Sequence, residues 1–350
     1  MKHGGDLLSF EDYYDGKLVD YSSNINPLGI PKGLKKAIMD SLKNLESYPD
    51  IKYRRLKKSV GGYLKCNEKN IILGNGAVEL IDNFTYLANR VLICIPSFSE
   101  YEERALIHNK EVIRIPYKED FTIDTEGIAN TIKEGDMLIL GNPNNPTGFR
   151  IEEEELLKIY SMVKRSNSIL LLDEAFFEFC PQDYDSIELF RQTNYENLGI
   201  IRAATKFFAL PGIRLGYGCT SMGMAERIKE IQLPWSINSL AEIAGTYIFH
   251  DKEYIEESKR YIERERKYLL GELSNIGGIK PYFTKANYIL IRLLKWDEEY
   301  VFRFFLSRGI IIRKCSSFKG LDHNFIRIAI KDRNNNNRLV KIFKELGESK

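Results

Sequence analysis

Cysteine is scarce in this chain and carries no pattern. Cys66, Cys94, Cys180, Cys219 and Cys315 are odd in number and form no C-x-x-C pair, so neither a disulfide framework nor a metal site is expected. A reducing, cytoplasmic setting suits them. Excess charge is missing too: 51 Lys and Arg against 49 Asp and Glu leave a net of +2. With no basic helix-turn-helix segment either, nucleic acid is not an expected partner. The apolar runs fall far short of the roughly 20 residues that span a membrane. No charged-then-apolar leader opens the chain, so membrane insertion and secretion are not expected. Internal repeats are also absent.

What remains is 350 residues, 43% of them apolar, enough for one large α/β unit with a smaller lobe or for two ordinary domains. Between about residues 70 and 220, short runs rich in Ile, Leu and Val alternate with amphipathic stretches: "NIILG", "RVLICIP", "EVIRIP", "DMLILG", "SILLLDE", "LGIIRA" and "IRLGYG". That alternation predicts parallel strands with helical crossovers. Each run ends in Gly, Pro, Asn or Asp, at the carboxyl ends of strands where open α/β sheets place their ligands. Beyond residue 220, "SLAEIAGTYIFHDKEYIEESKRYIERERKYLLGELSNIG" predicts one helix running into a longer one. The last 70 or so residues, with "NYILIRL", "IIIRKC" and "FIRIAI", suit a small α+β lobe.

Chemistry is concentrated at the strand ends. In "RAATKFFALPGIRLGYG", Lys206 follows an apolar strand, where desolvation would lower its pKa and make it a nucleophilic amine. A lone lysine there more often snorkels to the surface, but its neighbours argue otherwise. Arg214, after a Pro-Gly turn, is suited to a phosphate. Asp173 ends "SILLLD" and needs a cationic partner, unless it merely caps the next helix. Asn145 sits in the turn-rich "GNPNNPTG"; "ILGNGAVELI" places the amides of Gly76 and Ala77 at a helix N-terminus that can hold a phosphate. Phe98, in "IPSFSEY", offers either a stacking face or core packing.

Taken together, the segments 74–77, 98, 142–148, 173–176 and 205–214 resemble the aspartate-aminotransferase superfamily of pyridoxal-phosphate (PLP) enzymes. The resemblance implies a PLP-dependent aminotransferase-type α/β fold. Its large domain has a mostly parallel central sheet flanked by helices, and its smaller domain is α+β. The boundaries implied are an N-terminal arm over 1–27, a large PLP-binding domain over 28–250 and a small C-terminal domain over 251–350. Lys206 would carry the cofactor as a Schiff base, with Thr205 beside it, and Asp173 would hold the pyridinium proton. Asn145 would bind the ring oxygen and Phe98 would stack on the ring. Arg214, Gly76 and Ala77 would hold the cofactor phosphate. Tyr48, in "ESYPDIKY", would reach the neighbouring subunit's cofactor, which implies a homodimer. Arg327 would meet the substrate α-carboxylate.

Within that superfamily the chain is similar to the branch containing threonine-phosphate decarboxylases and histidinol-phosphate aminotransferases, and more to the former. "HGGD", "DYSSNINPLGIP", "DEAFFEF", "LPWSIN" and "GIIIRKCSSFKGL" carry that likeness. It implies a phosphorylated amino acid as substrate, with His3 and Arg313 on its phosphate and Asn26 lining the same end. The expected reaction is decarboxylation of O-phospho-L-threonine in cobalamin biosynthesis; the alternative is transamination of the histidinol-phosphate type. Phe176 stands where many aminotransferases have a tyrosine. Asp6 departs from the usual "HGGN" and either points at the substrate phosphate or caps the helix starting near Leu8.

Overall fold

The computed structural model describes residues 4–348. After a short first strand, β1 (Val19–Asp20), all seven apolar runs become strands of one sheet. They are β2 (Ile71–Gly74), β3 (Arg90–Ile95), β4 (Glu111–Pro116), β5 (Asp136–Gly141), β6 (Ile169–Asp173), β7 (Leu198–Ala203) and β8 (Gly216–Thr220), in the spatial order β2-β8-β7-β6-β5-β3-β4. Strands β3 to β7 are parallel. The exception to the expected parallel pattern is β8, which runs antiparallel to both its neighbours. Residues 204–215 are taken up by the loop bearing Lys206 and Arg214 and contain no crossover helix, so the chain can only turn back.

Apart from the edge strand β4, which is largely exposed or half-buried, both faces of the sheet are covered, which is why its strands read as unbroken apolar runs. Leu170 and Leu172 enter one core while Leu171 enters the other, and Ile200 and Ile201 divide in the same way. The helices Ser239–Ile248 and Lys252–Leu273 follow one another as expected, the second capped by Asp251, whose carboxylate accepts from the Tyr254 amide at 3.1 Å.

Beyond the long helix, the chain builds a second, antiparallel sheet. Its strands are β9 (Ile279–Pro281), β10 (Tyr288–Leu293), β12 (Arg313–Lys314) and β13 (Phe325–Ala329), ordered β12-β13-β10-β9, while β11 (Ile310–Ile311) pairs in parallel with β1. The β1 pairing fastens the beginning of the chain to its end and brings residues 20–24 over the strand ends of the large sheet.

Among the described residues no helix is long and apolar enough to cross a membrane, no cluster of His, Cys, Asp or Glu could hold a metal ion, and the five cysteines are free thiols.

Candidate active site

One cavity of about 530 Å³ lies between the carboxyl ends of the parallel strands and the second sheet. Ala77, Phe98, Asn145, Asp173, Thr205, Lys206, Arg214, Arg313 and Arg327 all line it. Seven of these nine, from Ala77 to Arg214, converge because the strands of an α/β sheet deliver their ends to one side, and Arg313 and Arg327 meet them from β12 and β13 of the second sheet.

Lys206 stands at the centre of the charge pattern. Burial, followed by the nearby Arg327 guanidinium, brings its amine down to about 8, and the Asp20 carboxylate only partly opposes this. About a tenth of the amine is therefore neutral at pH 7 and about half at pH 8. Asp173 is 8% exposed; its Oδ2 accepts from the Tyr101 hydroxyl at 2.8 Å and its Oδ1 from the Ala175 amide at 3.0 Å. Burial raises its pKa, while these two hydrogen bonds favour the charged form.

At the other wall, Gly76 precedes the helix Ala77–Leu87 with φ +80°. A Cβ there would lie 2.3 Å from an Arg214 terminal nitrogen, so only glycine lets that guanidinium sit against the first amides of the helix. Arg214 itself adopts φ 61°. Guanidinium, helix N-terminus and backbone amides together form a cradle for a multiply charged anion. Phe98 meets Tyr101 edge to face at 5.7 Å and turns its own surface to the cavity.

The far end of the cavity is cationic. Arg313 and Arg327 are 3% and 5% exposed. Arg327 donates to Asn145 Oδ1 and, at 2.8 Å, to the Ser22 carbonyl. Arg313 donates to the Ser317 hydroxyl at 2.8 Å and lies over the Phe318 ring. Burial, then the neighbouring Arg327 charge, pulls Arg313 down to about 10. Two converging guanidiniums in low dielectric favour a ligand that brings two anionic groups.

The chain's first described residues reach this end. Gly4 lines the cavity, and the Gly5 amide donates to the Ser22 hydroxyl at 2.9 Å. Asp6 accepts from the Ser9 amide at 3.2 Å at the start of the 3₁₀ helix Leu8–Tyr13, so it serves the helix and adds no acid to the cavity. His3 lies outside the described residues.

One residue expected to line the cavity is elsewhere. Asn26 does not line the cavity. Its amide nitrogen donates to the Phe207 carbonyl at 2.8 Å, Tyr254 Oη at 3.1 Å and Ser258 Oγ at 2.8 Å, and its Oδ1 accepts from Leu28. With its own amide bonded to the Lys206 carbonyl at 3.0 Å, Asn26 buttresses the lysine loop from behind. Asn24, two residues earlier, lines the cavity in its stead. Tyr48 is 81% exposed, with its ring 4.8 Å from that of Trp235, and is not part of this cavity. Sequence reasoning missed Tyr101, Asn24, Ser22 and Ser317. All four lie within motifs already quoted, Tyr101 one turn beyond Phe98, but no pattern within those motifs says which polar side chain faces the cavity.

The fold and this geometry define a class I/II aminotransferase scaffold, as expected from the sequence. The chain belongs to the family "Aminotransferase class I and II", whose model matches residues 16–343. That family is PLP-dependent, and PLP is the cofactor of this chain. The solved histidinol-phosphate aminotransferase from Clostridium acetobutylicum is 42% identical, with a TM-score of 0.90, covering 94% of this chain and 99% of that one. A protein of Caldanaerobacter subterraneus subsp. tengcongensis, provisionally named a threonine-phosphate decarboxylase, is 39% identical over 99% of this chain and 97% of its own length. The threonine-phosphate decarboxylase of Salmonella typhimurium is 33% identical over 93% of this chain and 90% of its own.

The residues present fit PLP. The cradle at Gly76, which a Cβ would fill, suits its phosphate; the buried Asp173 carboxylate suits a protonated ring nitrogen; the lowered amine of Lys206 suits its aldehyde.

Proposed function

We propose that this chain decarboxylates O-phospho-L-threonine to aminopropanol phosphate and CO2 in cobalamin biosynthesis, as a cytoplasmic homodimer. The observation that carries this reading is the pair of deeply buried guanidiniums, Arg313 and Arg327, at one end of a cavity whose other end holds Lys206 and the anion cradle. Two cations in that position suit a substrate carrying both a carboxylate and a phosphate. The names of the Caldanaerobacter and Salmonella relatives support the substrate, and the absence of a phenol at Phe176 is consistent with it.

In this reading Lys206 would attach the cofactor, Asp173 would hold the proton on its ring nitrogen, and Asn145 and Phe98 would hold its ring. Arg214, with the amides of Gly76 and Ala77, would hold its phosphate, with Thr205 beside Lys206. When bound, PLP supplies an electron sink for the pair left at the substrate Cα. Everything else falls to the chain. Arg327 grips the α-carboxylate and Arg313 the substrate phosphate, with His3 assigned to the same phosphate. Their joint hold orients the Cα substituents and so selects the bond that breaks. The ammonium form of Lys206, which coexists with the neutral amine near pH 8, would deliver the proton that replaces the lost carboxylate at Cα and be left as the neutral amine.

The dimer is supported by the exposed apolar side chains around Tyr48, namely Ile51, Leu233 and Trp235, with Tyr48 assigned to the neighbouring subunit's cofactor. The five free thiols suit a cytoplasmic protein. The domain division at residues 27 and 250 belongs to the same reading.

A second reading, transamination of a histidinol-phosphate-type substrate, is favoured by the 42% identity to the Clostridium enzyme of that name. Incubation of the PLP-loaded protein with O-phospho-L-threonine decides between them. CO2 and aminopropanol phosphate in equal amounts are expected, with no glutamate formed from added 2-oxoglutarate. Glutamate exchange without CO2 would replace the first reading with the second.

A further inference from the structure

Asp173 is not held by its own loop alone. The Tyr101 hydroxyl reaches its Oδ2 from the helix Glu100–Ile107, 2.8 Å away, and both groups are buried. The hydroxyl packs beside Gly141 at the end of β5, where a Cβ would stand at ordinary contact distance, 3.4 Å from the Tyr101 oxygen. The tyrosine ring is in turn wedged edge to face against Phe98. Phe98 and Tyr101 thus lie one turn apart, the first facing the cavity and the second turned onto the carboxylate.

We infer that Tyr101 is a positioning residue for Asp173, fixing the rotamer of its carboxylate and keeping it ionised toward the cavity. This rests on the reading of Asp173 as partner of the cofactor ring nitrogen. A phenol can only donate to a carboxylate here, and burial and the Asp173 charge push the Tyr101 pKa further up, so the phenol stays protonated. The bond therefore stabilises the anion and not the acid. Asp173 Oδ1 is engaged by the Ala175 amide, which leaves Tyr101 as the side chain that sets the orientation of Oδ2. Tyr117 and Tyr288 stand near this pair, as neutral phenols, and the cavity contributes Lys206, Glu100 and three arginines. Those charges are unchanged by altering Tyr101.

The test uses Tyr101→Phe and Asp173→Asn in the full chain, loaded with PLP. The readouts are the dissociation constant of PLP, followed by visible absorbance, and the pH at which bound PLP is lost in acid. Loss of one charge-assisted hydrogen bond is expected to raise the dissociation constant about tenfold. Since that bond favours the ionised carboxylate, its removal raises the Asp173 pKa and moves the acid limb up by about one unit. Asp173→Asn should weaken binding further and abolish that limb. A lowered melting temperature in Tyr101→Phe with an unmoved acid limb and unchanged affinity would reduce Tyr101 to a packing residue and overturn the inference. Unchanged affinity in Asp173→Asn would instead overturn the role of Asp173, and the inference with it. If Tyr101→Phe does not fold, Tyr101→Met, which also lacks the hydroxyl, is held to the same two readouts.

Discussion

Gly76 and Arg214 stand so close that a Cβ on the glycine would overlap the guanidinium, 2.3 Å from one terminal nitrogen and 2.9 Å from its central carbon. Gly76 also holds φ +80° and ψ 163°, a region that other residues enter at a cost of about 1–3 kcal/mol. Gly76→Ala should therefore displace Arg214 and open the cradle. The expected result is PLP affinity reduced at least about tenfold, measured by equilibrium titration of the apoprotein, with far-UV circular dichroism unchanged. Wild-type affinity in that variant would remove Arg214 from the phosphate site.

At the opposite end, a Cβ on Gly4 would lie 2.2 Å from the Ser22 carbonyl oxygen, the same oxygen that accepts from Arg327. Gly4→Ala should lift the N-terminal segment away or shift Ser22. Either outcome disturbs the substrate end and spares the cofactor end. A KM for the phosphorylated substrate raised about tenfold, with PLP affinity within twofold of wild type, is expected from steady-state kinetics and titration.

The Lys206 amine, brought to about 8 mainly by burial, predicts a pH dependence. In the apoprotein the neutral, nucleophilic form grows as pH rises through 8. The rate of PLP capture should rise with it and level off above about 9. Two units below the midpoint it should be about one-hundredth of the plateau. Stopped-flow absorbance measures this directly. Lys206→Ala should remove the visible colour altogether and lower turnover by more than about a hundredfold.

Behind Asp173, Glu174 is fully buried and paired with Arg202 at 2.9 Å, with Ser186 and Asn142 also donating to it. Glu174→Leu would leave the buried Arg202 with the more exposed Asp185 as its remaining ion-pair partner and the Glu178 carboxylate nearby. Loss of about 3 kcal/mol of unfolding free energy is expected, read by denaturant titration. A change below 1 kcal/mol would mean that Asp185 and Glu178 suffice to neutralise Arg202.

How much of this could be read from the chain depends on what sets each residue's position. Asp173, Lys206 and Arg214 were legible because each follows or precedes an unbroken apolar run, and such a run in an α/β sheet delivers its end to a known side. The antiparallel course of β8 was not: the run "IRLGYG" looks like its neighbours, and only the helix-free loop before it reverses its direction. Asn26 was misread for a similar reason. Its neighbour Asn24 has the same chemistry, and which of the two faces the cavity is decided by contacts with Phe207, Tyr254 and Ser258, each about 180 positions or more away. Tyr101 escaped notice because a tyrosine on an amphipathic helix has the same pattern whether it fills a core or meets a carboxylate.

The pairing of β1 with β11 has a consequence in time. Every residue assigned to the cofactor within one chain, from Gly76 to Arg214, has been synthesised by the time β8 emerges. The cationic end needs residues 4–24 to wait for Arg313 and Arg327, some 300 positions later. On the ribosome, then, the two ends of one pocket become possible at widely separated moments, and the cationic end, proposed to hold the substrate, is the last to be assembled.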